Sequence, residues 1–294
     1  MAGRADRNRV ARNRQKGKRI RMTRGAGAYW AYLREAHDRF WAPPLRQDGA
    51  SAWSNRMTLV AVVGVYAIFL LHFLDSTLID YVRSTSPVFV DLSARFTDVA
   101  KSTVYLVVAL AVFLLAGVVD WRRAERKWKP VWAKLSGQAG FVFLAIAVSG
   151  LFTNLVKLIV GRARPKFLDT LGPAHFDPFS PGYDFASFPS GHAQVAGVLT
   201  MVLLLWFPRA AVAILPLGLI LASMRIGVAA HYPTDVVAGF LVGTLYTLFL
   251  ARWLALRGIV FRLPPGRFWP RPRFRKAFRS LWSRPVRAGS PFRG

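Results

Sequence analysis

The 294-residue sequence contains no cysteine, and only 14 acidic residues stand beside 41 lysines and arginines. The absence of cysteine excludes a disulfide-stapled secreted domain, thiolate zinc and iron–sulfur sites, and a cysteine nucleophile. The hydrophobic fraction of 53% is too high for a fully disordered chain. A compact soluble domain would not readily combine this fraction with a net charge of +27. Apolar segments in lipid, with basic segments beside an anionic membrane surface, reconcile the two numbers.

Charged residues are almost absent from six apolar runs. The runs are Met57–Leu74, Thr103–Val119, Ala139–Val160, Ala193–Phe207, Ala210–Met224 and Pro233–Trp253. The fourth and fifth are short for a bilayer span, so buried core helices are the alternative interpretation. None alternates with period two, which disfavours a porin-like barrel. Because six such runs leave too little polar surface for a soluble fold, the sequence predicts an all-α, integral-membrane six-helix bundle with flexible basic N- and C-terminal tails.

The distribution of basic residues predicts the domains and their orientation. We expect a basic tail with a possible interfacial helix at 1–56, a six-span membrane domain at 57–254 and a second basic tail at 255–294. One face of the bundle carries 33 of the 41 lysines and arginines. The positive-inside rule makes that face and both termini cytoplasmic. The tails could bind nucleic acid, but no nucleic-acid-binding motif accompanies them, so contact with anionic lipid is the preferred interpretation.

Ionisable residues near membrane segments are costly, so their positions are informative. Three clusters stand at the ends of apolar runs: Lys157 to Pro165, Pro189 to His192, and Arg225 to Asp235. Because six alternating spans bring all three to the same outer face, clusters that are separate in sequence are expected to converge in space.

The expected pocket suits a phosphoryl group better than a carboxylate. Lys157, Arg164 and Arg225 supply three cations, and two of them have planar forks that match phosphate oxygens. Ser190 and Gly191 stand where a helix begins, so free backbone N–H groups and the positive helix end face the anion. Each cation alone could be a snorkelling or interfacial anchor, and the functional interpretation therefore depends on their combination.

Two histidines add chemistry to this pocket. One imidazole can attack phosphorus while a second donates a proton to the leaving oxygen. Asp235 follows His231 by four residues, so it can accept from Nδ1–H and leave Nε2 as the nucleophile. This arrangement leaves His192 as the acid. Metal binding by His175, His192 and His231 is the alternative, but no carboxylate–histidine spacing supports it.

These motifs resemble the type 2 phosphatidic acid phosphatase family, which includes the vanadium haloperoxidases. The resemblance covers roughly Thr103 to Leu250 and is carried by K-x6-RP, PSGH and R-x5-H-x3-D. It implies a helical bundle with an extracytoplasmic site, a phosphohistidine on His231 oriented by Asp235, and His192 protonating the leaving group. It also implies that no metal ion or other cofactor takes part. The residues implied to hold the phosphoryl oxygens are Lys157, Arg164, Ser190, Gly191 and Arg225.

The sequence departs from this family pattern at two positions. The third motif usually begins with serine directly before its arginine, but Met224 stands there and Ser223 is one place early. A glycine commonly stands two residues before the motif histidine, where this chain has Ala229. Neither change removes a reactive group, so they bear on loop shape and substrate fit.

The expected activity is that of a membrane lipid phosphatase in a bacterial inner membrane. Its substrate would be a lipid phosphomonoester or pyrophosphate: phosphatidylglycerophosphate, phosphatidate, an isoprenoid pyrophosphate or lipid A. The alternatives are a lipid phosphotransferase with the same intermediate, and a non-catalytic membrane scaffold with basic tails. The loop 165–188, rich in aromatic residues, is a candidate lid or lipid-contacting lip, although its aromatic residues could equally serve packing alone.

Overall fold

The computed structural model describes residues 33–34, 37–45, 49–84, 87–118 and 129–273. Residues 37–41 are helical, and the interfacial position predicted for a helix in this segment stays a prediction. Most of the two predicted tails lies outside the described residues.

Helices make up almost all of the regular structure in the described residues. They are α1 Asn55–His72, α2 Asp75–Arg83, α3 Pro87–Thr97, α4 Ser102–Val118, α5 Lys129–Val160, α6 Leu168–Leu171, α7 Gly191–Trp206, α8 Ala211–Gly227 and α9 Pro233–Leu256. Three 3₁₀ turns cover Asp98–Ala100, Pro165–Phe167 and Pro208–Ala210. After α9 the short strands β1 (Phe261–Arg262) and β2 (Arg271–Pro272) pair antiparallel, with Phe261 opposite Pro272. The all-α prediction is therefore confirmed, apart from this two-stranded ribbon.

Five segments within the described residues are long and apolar enough to cross a membrane: Asn55–His72, Val90–Ala116, Val131–Val160, Pro208–Gly227 and Pro233–Leu256. Helix α7, the fourth predicted span, has 16 residues and a length of about 24 Å. The count of six spans therefore stays a prediction. Helices α2 and α3 were not predicted, because they are short and carry charged residues.

The outward surface of the helices is apolar, as lipid contact requires. Helix α1 buries only Met57 and Gly64 and exposes large apolar side chains such as Leu59, Val63 and Phe69. A helix that is apolar on all sides and packed on one side only has its remaining surface suited to hydrocarbon.

The core lies where α5, α7 and α9 pack together, and it extends beyond the predicted domain boundary. Phe261 of β1 is fully buried and meets Phe141 of α5 edge to face, with ring centroids 4.7 Å apart. Leu263 and Ala52 are buried in the same cluster. Side chains on both sides of the predicted limits of the membrane domain, 57 and 254, thus belong to the same core, and the limits themselves stay predictions.

Glycines bring α7 and α9 into backbone contact. A Cβ added to Gly197 would lie 2.3 Å from the carbonyl oxygen of Phe240, and one added to Gly243 would lie 2.0 Å from that of Gln194. A Cβ on Gly239 would lie 2.2 Å from the carbonyl oxygen of Ser190. These are backbone atoms that cannot swing aside. The missing side chains therefore set the distance between the two helices.

Replacing Gly243 by alanine is expected to lower the stability of the fold. The added methyl group must push α7 and α9 apart, and overpacking of this kind costs about 1–3 kcal/mol. The measurement is the thermal unfolding midpoint of the purified protein in detergent.

Gly150→Ala is the matched control, because its Cβ would meet only the Gln194 side chain at 3.7 Å. Its midpoint should stay unchanged or rise, since alanine is the better helix former. A Gly243→Ala midpoint at or above that of the wild type would contradict the close-contact argument.

Candidate active site

The three predicted clusters meet at one end of the helical bundle. Helix α5 ends there at Val160 and α8 at Gly227, and α7 and α9 begin there. The backbone N–H of Ser190 donates to the carbonyl oxygen of Asp235 at 2.9 Å, which joins the starts of α7 and α9. The packing therefore converts three separate sequence motifs into one site.

Two of the predicted phosphate-binding cations lie side by side. Lys157 Nζ donates to the carbonyl oxygen of Ala186 at 2.5 Å, and Arg164 Nη2 donates to the same oxygen at 3.3 Å. Arg164 Nε also donates to the carbonyl oxygen of Tyr183, and its guanidinium lies 3.7 Å from the centroid of the Tyr183 ring. Burial lowers the pKa of Arg164, but arginine starts high enough to remain charged. An anion at this point would meet two positive charges.

His231 is buried beside these cations. Its Nε2 lies 3.4 Å from Arg164 Nη1. Burial lowers the pKa of His231 to about 3; Lys157 and Arg164 act in the same direction, and Asp235 opposes them. The imidazole is therefore neutral near pH 7, the form in which one ring nitrogen offers a lone pair for attack.

Asp235 faces the other nitrogen of the His231 ring. Its Oδ2 lies 3.6 Å from His231 Nδ1, beyond hydrogen-bond distance, and accepts from Ser187 Oγ at 2.6 Å and from the backbone N–H of Tyr232 at 2.9 Å. Among the described residues, Nδ1 has no other hydrogen-bond partner. Such contacts are often long before substrate binds and shorten in the complex. The predicted bond from Nδ1–H to Asp235 stays a prediction, one that needs a shift of a few tenths of an ångström.

Ser190 and Gly191 form the start of α7 as the motif predicts. The buried Ser190 is the N-cap, and its Oγ accepts from the backbone N–H of Ala193 at 3.4 Å. A Cβ added to Gly191 would meet nothing within 4 Å among the described residues. The approach to the positive end of α7 is therefore open.

His192 lies at the start of α7 and Arg225 near the end of α8, both at the active-site end of the bundle. Burial lowers the pKa of the half-buried His192 to about 4; the charge of Arg225 acts in the same direction, and that of Asp98 opposes them. Arg225 Nη1 donates to Thr97 Oγ1 at 3.2 Å, and the Arg225 carbonyl oxygen accepts from the backbone N–H of His231 at 3.3 Å. Arg225 thus joins the segment that bears His231 to the end of α3 and stays electrostatically coupled to His192.

The loop 165–188 is held against the site. Backbone hydrogen bonds join it to residues 158–164. Phe167 and Phe185 stack with centroids 6.0 Å apart, whereas Phe176, Phe179 and Tyr183 are exposed. Phe167 and Phe185 thus pack on each other, Tyr183 packs on Arg164, and Phe176 and Phe179 leave apolar surface exposed; a role of the loop as lid or lip stays a prediction.

Comparisons with known proteins identify the family to which the chain belongs. The model of the PAP2 superfamily matches residues 138–259. A lipid A 1-phosphatase from Rhizobium johnstonii is 32% identical over 245 residues, which cover 83% of this chain and 96% of that protein. This chain belongs to the PAP2 superfamily. A lipid A 1-phosphatase from Rhizobium etli is 34% identical over 182 residues, 61% of this chain and 77% of that protein.

Two solved structures of PAP2-type phosphatases match the chain at lower similarity. The phosphatidylglycerolphosphate phosphatase of Bacillus subtilis has a TM-score of 0.47 and 17% identity, covering 66% of this chain and 92% of that one. LpxE of Aquifex aeolicus has a TM-score of 0.43 and 18% identity, covering 60% and 94%. PAP2 membership and the curated relatives confirm the predicted class of protein, a membrane lipid phosphatase.

The two departures from the PAP2 pattern have different structural consequences. Ala229 has a φ of 48°, in the left-handed region that glycine adopts without strain. This explains why PAP2 proteins commonly have glycine there, and holding alanine in this conformation costs on the order of 1 kcal/mol. Ser223, displaced by one place, donates to the carbonyl oxygen of Ile220 in its own helix.

Sequence reasoning missed two charged residues of this PAP2 site, Arg162 and Asp75. The buried Arg162 donates through Nη1 to Asp235 Oδ1 at 2.7 Å and through Nη2 to Asp75 Oδ2 at 2.8 Å. Thr234 Oγ1 also donates to Asp75 Oδ2, at 2.6 Å. Arg162 lies inside the first motif, and Asp75 directly follows the first apolar run. Their positions at the ends of apolar segments were the available signal.

Through Arg162, the carboxylate of Asp75 is linked to that of Asp235. One guanidinium between two aspartates leaves a net negative charge behind His231. That charge favours the positive ring that forms when the His231 nitrogen bonds to phosphorus. Arg162 also holds the Asp235 carboxylate against rotation. We expect Arg162 and Asp75 to act as positioning residues, through Asp235 rather than on the substrate.

Asp75→Asn should lower kcat with little change in KM. The substitution keeps the side-chain shape but removes one of the two charges that orient Arg162. By analogy with the outer hydrogen-bonding partners of metal-bound histidines, we expect a loss of about 10–100-fold. The measurement is steady-state phosphate release, with the thermal midpoint recorded in parallel.

Asp169→Asn is the control, since the exposed Asp169 pairs with Arg83 at 3.0 Å away from the site. A surface pair of this kind contributes about 1 kcal/mol or less, so kcat should be unchanged. Wild-type kcat in a stably folded Asp75→Asn variant would show that Asp75 has no part in positioning.

Proposed function

We propose that this protein removes the 1-phosphate of lipid A through a phosphohistidine on His231, at the extracytoplasmic face of a bacterial inner membrane. The observation that most directly supports this reaction is the distance of 3.4 Å between Arg164 Nη1 and His231 Nε2. A phosphoryl group bound by Arg164 and Lys157 has its phosphorus within reach of a buried, neutral imidazole nitrogen. Proximity of this kind is the main requirement for phosphoryl transfer.

In the first half-reaction, the Nε2 lone pair of His231 forms the N–P bond as the bond from phosphorus to the lipid oxygen breaks. The negative charge of the bound phosphate favours the protonated form of His192, which gives its proton to that oxygen, and the dephosphorylated lipid leaves. Asp235 stabilises the positive charge on the His231 ring. The three phosphoryl oxygens face Lys157, Arg164 and the start of α7.

In the second half-reaction, the now neutral His192 takes a proton from water while the water oxygen attacks phosphorus. The N–P bond breaks and its electron pair returns to Nε2. Phosphate leaves, and His192 is protonated again for the next cycle. The same two residues therefore serve both steps in opposite directions.

The choice of lipid A rests on the two curated relatives, both of which are lipid A 1-phosphatases. The exposed Phe176, Phe179 and Tyr183 supply apolar surface beside the site for acyl chains. The extracytoplasmic location rests on charge, because the arginine-rich end of the bundle, with Arg56 and Arg209, lies opposite the active site.

A panel of lipid phosphates tests the substrate. Purified protein in mixed micelles should release phosphate from the 1-position of lipid A with a higher kcat/KM than from phosphatidylglycerophosphate, phosphatidate or an isoprenoid pyrophosphate. His231→Asn should lower the rate at least about 10³-fold, since it removes the nucleophile. Mass spectrometry of the product identifies the position that loses phosphate.

His175→Asn is the matched control, a histidine of the adjoining loop whose ring contacts Phe185 rather than the cations. Its rate should stay near that of the wild type. A higher kcat/KM on another lipid would refute the assignment to lipid A. Transfer of phosphate to a second lipid, without free phosphate, would make the enzyme a phosphotransferase.

The role of His192 as the acid has its own test. His192→Ala should lower the rate on lipid phosphates by about 10²–10⁴-fold, the usual contribution of a general acid. Formation of the intermediate from a nitrophenyl phosphate ester should be far less affected, because that leaving group needs no proton. A quench experiment measures the burst of nitrophenol. An equal loss on both substrates would argue against the acid role.

The orientation can be tested directly because the native chain contains no cysteine. We expect Thr170→Cys, in the exposed loop beside the site, to react with a membrane-impermeant maleimide in intact spheroplasts. Arg209→Cys, at the opposite end of the bundle, should react only after lysis. The reverse pattern would place the active site in the cytoplasm.

A further inference from the structure

A second cluster of cations surrounds a cavity at the end of the bundle opposite the active site. The cavity has a volume of about 340 Å³ and lies between the start of α1 and the connection from β1 to β2. Its lining residues are Arg56, Gly266, Arg267, Phe268, Trp269 and Arg271. Helix α9 separates it from the active site by about 36 Å, so it cannot hold the phosphoryl group under attack.

A buried arginine holds the walls of this cavity in place. Arg252 of α9 donates through Nε to the carbonyl oxygen of Ala52 and through Nη2 to that of Ser51, both at 2.8 Å. Its Nη1 donates to the carbonyl oxygen of Phe268. Hydrogen bonds from Arg252 thus attach both the segment before α1 and the segment with Phe268 to α9. The walls of the cavity are therefore held in a defined position by the fold.

Within the residues that the structure describes, the cations that line the cavity have no carboxylate partner. The stretches 49–57 and 252–273 contain no aspartate or glutamate. In the described part of the chain, Arg56, Arg267 and Arg271 form no ion pair with a carboxylate. Instead, the Arg56 guanidinium lies 5.4 Å from the centroid of the Phe268 ring, and Arg252 lies 5.1 Å from the same centroid. Three guanidinium groups around one cavity, none of them paired with a carboxylate of the described residues, favour an anion with several oxygens.

The surroundings of the cavity favour a lipid as the source of that anion. Trp269 is 49% exposed and Trp53 is 41% exposed, and indole rings of this kind prefer the boundary between lipid and water. The lipid-facing part of α1 begins one turn beyond Arg56, at Leu59. A headgroup phosphate in the cavity would therefore have its acyl chains alongside an apolar helix surface.

We infer that this cavity binds the phosphate of an anionic phospholipid headgroup, which anchors the end of the bundle opposite the active site. The guanidinium groups of Arg56, Arg267 and Arg271 contact the phosphate oxygens, and Trp269 packs against the glycerol part. This site is independent of the proposed reaction, because no residue of the active site contributes to it.

Native mass spectrometry of the full-length protein tests this site. The protein is titrated separately with phosphatidylglycerol, phosphatidylcholine and inorganic phosphate. One phosphatidylglycerol should be retained with an affinity at least about tenfold above that of phosphatidylcholine, because each nearby arginine contributes on the order of 1 kcal/mol to anionic lipid binding. Inorganic phosphate should be retained weakly, since it lacks the apolar part.

The double variant Arg267→Gln/Arg271→Gln should lose at least about tenfold in affinity for phosphatidylglycerol, and Arg267→Lys/Arg271→Lys should lose less. Lys134→Gln/Arg209→Gln is the matched control, because it removes the same charge near the same end of the bundle but outside the cavity. Thermal midpoints show whether each variant is folded.

Three outcomes would overturn the inference. An equal loss in the cavity variant and in the control would assign binding to the basic surface as a whole. If the wild-type protein retained phosphatidylglycerol and phosphatidylcholine equally, the headgroup charge would have no role in binding. This outcome can be measured on the wild-type protein alone. Tight retention of inorganic phosphate would make the cavity a site for a free anion instead of a lipid.

Discussion

The active-site geometry depends on a buried arginine held between two aspartates. Arg162 joins Asp75 at the start of α2 to Asp235 at the start of α9, and Thr234 closes the arrangement with a further hydrogen bond. Removing one member of a buried ion pair leaves an uncompensated charge, typically at a cost of about 3–5 kcal/mol. The arrangement is therefore stable only as a unit. As a unit, it fixes the carboxylate that faces His231.

The close packing of α7 on α9 has an equally direct effect on the chemistry. Gly197 and Gly243 let the two backbones touch, and Gly239 brings the carbonyl oxygen of Ser190 against α9. Both helices begin at the active site, so their positive ends point at the same region. Larger side chains along this contact would separate the helix that carries His192 from the segment that carries His231.

The features that can be predicted from the sequence are those that depend on the spacing of residues close together in the chain. Apolar runs predict membrane helices because hydrophobic length is a property of consecutive residues. The spacing of His231 and Asp235 predicted a carboxylate on the Nδ1 side of the ring, since both residues lie within one helical entry turn; Asp235 Oδ2 lies 3.6 Å from Nδ1, and the hydrogen bond between them stays a prediction. Pro189 and Ser190 likewise marked the start of α7. The resemblance of three short motifs to the type 2 phosphatidic acid phosphatase family then predicted a phosphatase. Such motifs are visible in the sequence because the reactive groups of each lie within a few residues of one another.

Which groups meet, among those that are distant in the sequence, depends on the tertiary structure. Asp75 and Arg162 are 87 residues apart, and no local pattern indicates that they pair. The same holds for Phe261, which lies beyond the last span yet completes the core against Phe141. Ala229 adopts a left-handed backbone conformation that alanine does not favour, because the path of the loop requires it. The choice of partner for a buried charge and the closure of a core depend on how the helices pack, and packing joins residues that the sequence keeps apart.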